Sequence, residues 1–154
     1  QRSTLTTDDV LAASGQTREF NVFELQSAIG EGRATDAHRI AGRLLQQASN
    51  PQSESIMMVA VLNAYFDKLW KLQVPNAGRM SNTEVARRIG VSPYFAKEYV
   101  FAARRFSREA IEQAFAALLA ADHELKGGSR RNPRLIITLL LRQLMPPSVR
   151  SAAA

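Results

Sequence analysis

The chain has 154 residues and a net charge of +6, and 45% of its residues are hydrophobic but only 7% are aromatic. Such a chain is typical of one globular domain that buries roughly 70% of the surface exposed by its unfolded form. It contains no cysteine, which excludes disulfides, cysteine-ligated zinc, iron–sulfur clusters and cysteine nucleophiles. No uncharged run reaches the roughly 20 residues of a membrane span, so a transmembrane protein is excluded as well.

Apolar residues recur at spacings of three and four almost throughout, and no segment alternates like a strand. The sequence therefore predicts an all-α bundle of about seven or eight helices. The first helix is capped by Thr7 and ends at Gly15, the second is capped by Asn21 and ends at Gly30, and the third begins near Arg33.

Caps and breaks place the remaining helices. Asn50-Pro51 is expected to break the helical run before a long helix over Ile56 to Val74. Two short helices follow, and then two longer ones complete the bundle. The first short helix is capped by Ser81 or Asn82 and ends at Gly90, and the second starts at Ser92-Pro93. The first longer helix is capped by Ser107 and ends at Gly127, and the last helix covers Leu135 to Met145.

The charge is uneven along the chain. Residues 1–78 carry seven basic and eight acidic side chains, whereas residues 79–154 carry thirteen basic and six acidic ones. All the excess positive charge therefore lies in the second half, which raises the question of a nucleic-acid partner.

No set of residues predicts catalysis. His38 and His123 lie in separate predicted helices, and the consecutive residues Asp122, His123 and Glu124 point in different directions on a helix, so they cannot converge on one metal. There is no phosphate-binding glycine loop, and Gly127-Gly128 follows a helix instead of opening one. We expect no catalytic residue, no metal and no cofactor in this chain, and a small enzyme is the least favoured of the functions considered.

One stretch is typical of a helix-turn-helix. Thr83 to Ser92 would supply the first helix and the turn at Gly90, and Tyr94 to Arg105 the second helix. A DNA-binding regulator of this kind would use Arg87, Arg88, Arg104 and Arg105. The second helix, however, carries Tyr94, Phe95, Tyr99, Val100 and Phe101, which is too apolar a surface for reading base edges, so protein packing is favoured.

Four segments together resemble the C-terminal part of the delta-subunit family of bacterial DNA polymerase III clamp loaders. Their order and spacing across residues 20 to 145 are more specific than any one of them alone. The segments are Asn21 to Ile29, Glu84 to Pro93, Ala102 to Ser107 and Ala120 to Gly128.

The resemblance implies a helical collar through which the subunits of a bacterial, cytoplasmic clamp loader assemble into a ring within the DNA polymerase III holoenzyme. The partners it implies are ATP-hydrolysing and delta-prime type subunits, with DNA contacted only indirectly or nonspecifically and no membrane. In that family delta does not hydrolyse ATP, and the region that opens the sliding clamp would lie upstream of Gln1. The chain opens without an initiator Met or an apolar leader, so we expect a piece of a longer protein.

On this interpretation, residues 1–18 are the tail of a preceding domain, 19–146 are the collar and 147–154 are a disordered tail. The last helix is apolar nearly all round, so we expect a neighbouring subunit to cover one side, with Leu135, Ile136, Leu139 and Arg142 at the contact. In the preceding helix, Phe115 lies at helical spacing from Ile111, Leu118 and Leu119, which predicts that Phe115 is a core residue.

Overall fold

The computed structural model describes residues 22–146, and every regular element in that range is helical, which confirms the predicted fold class. The predicted helix from Thr7 to Gly15, the Asn21 cap and the tail from residue 147 lie outside the described residues. The α-helices are α1 (described over residues 22–30), α2 (Ala34–Gln47), α3 (Pro51–Lys71), α4 (Asn82–Ile89), α5 (Ala96–Arg105), α6 (Arg108–His123) and α7 (Pro133–Leu144). Short 3-10 turns cover Ala77–Arg79 and Pro93–Phe95, and a wide turn over Glu124–Gly128 extends α6.

Helix α3 is the centre of the bundle and packs against α2, α5, α6 and α7. Its inward face carries Met58, Leu62, Phe66 and Leu69, each no more than 1% exposed. No helix within residues 22–146 is long and apolar enough to cross a membrane.

The start of α3 differs from the prediction. The helical run is interrupted before Asn50-Pro51 as predicted, since α2 ends at Gln47, but the same pair also begins α3. The Asn50 side chain accepts a hydrogen bond from Ser53 N at 3.1 Å, and Pro51 occupies the first turn. A proline costs nothing there, since the first turn has amide groups without helical partners. The helix therefore starts five residues earlier than the predicted Ile56, and it ends at Lys71 before the predicted Val74.

The outer face of α6 also differs from the prediction. Leu119, predicted to share the core stripe, is 72% exposed. Phe115 is only partly buried, packing edge-on against Trp70 with ring centres 6.3 Å apart, while the Arg108 guanidinium lies 4.3 Å from the same indole. The buried stripe of α6 is Ile111, Ala114, Leu118 and Ala121.

Candidate interaction surfaces

Helices α4 and α5 form the predicted helix-turn-helix-like pair, and local capping sets its geometry. Ser81 Oγ accepts from Glu84 N at 3.1 Å, and the Glu84 carboxylate accepts from Ser81 N at 2.8 Å, which is a complete capping box. Gly90 then ends α4 at a φ of 74°, a left-handed conformation that glycine adopts without strain. Ser92 and Pro93 begin the next turn, so α5 leaves α4 at a defined angle.

Ser81→Ala should lower the free energy of unfolding by about 0.5–2 kcal/mol, because the amide of Glu84 loses its partner at the start of α4. Urea denaturation of the two proteins measures the change. Ser129→Ala offers a comparison, since the Ser129 hydroxyl accepts from Arg131 N in a loop and does not cap a helix. An equal loss in both variants would contradict the capping account.

The capping box also predicts a pH dependence. The backbone hydrogen bond from Ser81 holds the pKa of Glu84 below its ordinary value of 4.5. A carboxylate whose pKa is lowered on folding stabilises the fold above its unfolded pKa, and this contribution is lost as the pH falls through the folded pKa. Glu84→Gln should therefore reduce stability at pH 7 and have a smaller effect at pH 3. Denaturation curves at both pH values test this, and an equal effect at the two would count against it.

The four arginines proposed for DNA contact are all exposed, but they do not form one free cluster. Arg88 Nε donates to the carbonyl of Lys71 at 2.7 Å, and Arg105 Nη1 donates to the carbonyl of Gly30 at 3.2 Å. The Arg104 guanidinium lies against Gly78, where even a Cβ would overlap it. Within the described residues, Arg87 alone of the four has no such contact, so two of the four serve the fold by tying helices together.

The aromatic residues around the start of α5 lie mostly outside the core. Tyr94 is 82% exposed, Phe101 54% and Phe95 45%, whereas the core contact of this helix comes from Ala96, Ala102 and Ala103. Of the apolar residues that led the sequence analysis to favour protein packing for this helix, Tyr99 and Val100 are half-buried and pack against the core of the domain itself. The ring of Tyr99 lies 5.6 Å from that of Tyr65.

An open groove of about 620 Å³ runs between α1 and α5. Its floor is Tyr65 from α3 together with Gly30 and Ala102, and its rims carry the rings of Phe23, Phe95 and Phe101. Tyr65 is nearly buried, and this burial raises its pKa, so the hydroxyl stays protonated at any physiological pH. The groove is thus a mainly apolar surface with a neutral floor.

The surface of α7 is smaller than predicted. Ile136, predicted to lie at a contact between subunits, is 2% exposed and lies in the core with Ile137, Leu140, Leu141 and Leu144. The reason is that α7 is covered by three helices of its own domain, α2, α3 and α6. Leu135 remains 46% exposed, Leu139 is half-buried and Arg142 is exposed, so of the four predicted contact residues these three remain accessible to a partner.

The consecutive polar residues Asp122, His123 and Glu124 at the end of α6 make separate contacts. Asp122 pairs with Lys126 at 3.1 Å, Glu124 lies 3.7 Å from Arg131, and the His123 ring lies against Gly128. No group of three or more His, Cys, Asp or Glu residues in the described part of the chain could hold a metal ion.

Comparison with known proteins decides the family. The family described as "DNA polymerase III delta subunit, C-terminal domain" matches residues 19–144. The chain belongs to this family. It is 27% identical over 144 residues to DNA polymerase III subunit delta of Bacillus subtilis (strain 168), a match that covers 94% of this chain and 40% of that protein.

The fold agrees. The structure of the Bacillus subtilis DNA clamp loader delta protein superposes with a TM-score of 0.69 at 25% sequence identity, over 96% of this chain and 42% of that one. The chain thus spans about two fifths of the length of these relatives. It represents the C-terminal region of a delta subunit, as the resemblance predicted.

Reasoning from the sequence does not predict the groove, although it draws attention to residues on both walls. Phe23 is 55% exposed on α1, and the rings of Phe95 and Phe101, for which the sequence favours protein packing, line the same groove. Nothing in the sequence shows that α1 and α5, some 70 residues apart, lie side by side. The one available signal is the number of large apolar residues on the short α5, which exceeds what one buried face needs.

Proposed function

We propose that this chain is the oligomerisation, or collar, domain of a clamp-loader delta subunit, and that it helps to load the sliding clamp onto DNA during replication. Membership of the delta C-terminal family over residues 19–144 carries the proposal. The surface agrees with it, because several large apolar side chains stay exposed on a domain whose core is otherwise closed. Such side chains mark contacts with other proteins when they cluster.

The chain would then work by contact, without hydrolysing ATP. Its partners would be the ATP-hydrolysing and delta-prime type subunits of a bacterial loader in the cytoplasm. The sliding clamp would be contacted by another region of the longer protein. Leu135, Leu139 and Arg142 on α7 remain the proposed contact with the ATP-hydrolysing subunits, while Ile136 supports them from the core.

Leu135→Asp in the full-length delta protein should abolish co-assembly with the ATP-hydrolysing subunits, because a carboxylate would be forced into an apolar contact. Size-exclusion chromatography of the mixed, purified subunits measures assembly, and circular dichroism checks that the fold survives. Leu135 is 46% exposed in the domain, so the charge should leave the fold intact.

Asn63→Asp is the matched control, since Asn63 is an exposed residue of α3 that gains the same charge. If the Leu135→Asp protein still elutes as the complete complex, α7 is not the contact. If the unmodified protein assembles with no other clamp-loader component, the collar function itself is wrong.

Nonspecific DNA contact is a second candidate function, favoured by the exposed Arg87 and by the positive charge of the second half of the chain. Binding of this kind falls steeply with salt and has little sequence preference. Fluorescence anisotropy with two unrelated duplexes at low and moderate salt separates it from the regulator hypothesis. A strong preference for one duplex would favour sequence-specific binding.

A further inference from the structure

Three exposed arginines, one each from α4, α5 and α6, lie beside the end of α3 and the loop that follows it. They form what is called here the arginine surface: Arg88, Arg104 and Arg108. Arg88 Nε donates to the carbonyl of Lys71 at 2.7 Å, and the Arg104 guanidinium lies against Gly78. The Arg108 guanidinium lies 4.3 Å from the centre of the Trp70 ring.

One side chain brings the segments that carry these arginines together. The Gln73 amide, two residues beyond Lys71, donates to the carbonyl of Ala103 at 2.7 Å and to that of Phe106 at 3.0 Å. Ala103 directly precedes Arg104, and Phe106 lies between Arg104 and Arg108 in the chain. The end of α3 is therefore fixed beside both the end of α5 and the start of α6.

Each of the three arginines is held by a neutral group, namely a carbonyl, a glycine or an indole ring. None of them forms an ion pair with a residue of the described range 22–146. Arg33, by contrast, is paired with Glu31 at 2.8 Å and with Asp36 at 2.6 Å. A neutral contact restricts a guanidinium without cancelling its charge, so less side-chain entropy is lost when an anion binds.

Carboxylates are outnumbered around this surface. Residues 67–112 carry nine basic and five acidic side chains. Two of the carboxylates have other partners, since Asp67 pairs with Lys71 at 3.2 Å and Glu84 accepts from the amide of Ser81. The other three lie on α5 and α6 and form no ion pair with the arginine surface; they are Glu98, Glu109 and Glu112. The surface thus keeps an excess of positive charge.

Helix dipoles explain only part of this arrangement. Arg88 and Arg104 lie in the last turns of α4 and α5, where a positive charge is stabilising. Arg108 is the first residue of α6, where the dipole disfavours a cation. The contact with Trp70 instead fixes this cation beside the other two, where the three can contact one extended anion.

We propose that the arginine surface binds the phosphodiester backbone of a nucleic acid. A guanidinium binds phosphate oxygens through two parallel hydrogen bonds, and backbone contacts need no reading of base edges. The inference rests on the nonspecific DNA contact given above as the second candidate function, and it assigns a site to that contact.

The salt dependence of binding tests the proposal. Fluorescence anisotropy of the full-length delta protein with a labelled duplex and a labelled single strand is measured over a salt series. Arg104→Gln combined with Arg108→Gln should reduce the slope of log affinity against log salt by about two on the duplex, because each phosphate contact contributes about 0.9. Affinity at low salt should fall roughly tenfold or more.

Two further pairs of substitutions separate charge from damage to the fold. Arg39→Gln combined with Arg43→Gln is the matched control, since it removes two exposed arginines from α2, and it should leave the slope nearly unchanged. Arg104→Lys combined with Arg108→Lys keeps both charges but removes the planar fork, so it should keep the slope while binding more weakly than the unmodified protein. Circular dichroism checks that all three variants fold.

Each outcome bears on the proposal. A reduced slope on the duplex, on the single strand or on both supports it and shows which form of nucleic acid is bound. If the glutamine pair at 104 and 108 behaves as the control pair does, the arginine surface is not the site, and nonspecific contact elsewhere stands. If the unmodified protein shows no salt-dependent binding to either strand form, both the site and the nonspecific contact are wrong. Polyglutamate that displaces the labelled duplex as well as an unlabelled duplex of equal charge would overturn the choice of phosphate and favour an acidic protein segment.

Discussion

Phe66→Ala should lower the free energy of unfolding by about 3–5 kcal/mol, the range for truncating a buried Phe without collapse of the cavity. Phe66 is fully buried at the centre of α3. Its ring meets that of Tyr65 at 5.6 Å and that of Phe106 at 5.3 Å, both edge-on. Edge-on aromatic pairs add to the stabilisation from burial, so truncating the Phe66 side chain removes both contributions.

Chemical denaturation measures the loss, and two variants on α6 calibrate it. Phe115→Ala should cost less than about 3 kcal/mol, since the Phe115 ring is only partly buried beside Trp70. Leu119→Ala should change stability by no more than about 0.5 kcal/mol, as expected for a surface position. If Phe115→Ala proved as costly as Phe66→Ala, the placement of the two rings would be wrong.

The sequence predicts local structure well because the signals are themselves local. Ser81, Ser92 and Ser107 all accept hydrogen bonds from amides two or three residues later, and the side-chain types alone predict this. The start of α3 escapes prediction for a related reason. Asn50-Pro51 marks both the break after α2 and the start of α3, and the sequence analysis used the pair only as a break.

Burial on each helix face depends on neighbours that the sequence does not reveal. Leu118 and Leu119 are adjacent and chemically identical, yet Leu118 is buried against the core and Leu119 is exposed. Helix α7 is apolar nearly all round, and three helices of its own domain, α2, α3 and α6, pack against it. The aromatic helix α5 shows the opposite, because no described element covers Phe95 and Phe101 fully.

The groove is therefore the part of the site least accessible to sequence reasoning. It exists because Arg105 ties the end of α5 to the carbonyl of Gly30, and because Tyr65 lies beneath both helices. This close approach of α1 to α3 and α5 depends on a position without a side chain.

Gly30→Ala should destabilise the domain by about 1–3 kcal/mol, the usual cost of forcing an extra methyl into a packed site. A Cβ at position 30 would overlap the Tyr65 hydroxyl and lie 3.0 Å from the Cβ of Ala102. Gly42→Ala is the matched control with the opposite sign. No atom lies within 4 Å of a Cβ at position 42 in α2, so alanine there should stabilise by about 0.5–1 kcal/mol through helix propensity.

Tyr65→Phe should rescue most of the loss in Gly30→Ala, because it removes the oxygen that the new methyl would overlap, while the ring carbon behind it lies 3.5 Å away. A double-mutant cycle on unfolding free energies measures the coupling. If the double variant were as unstable as the sum of the single variants, the close approach at Gly30 would not involve the Tyr65 hydroxyl.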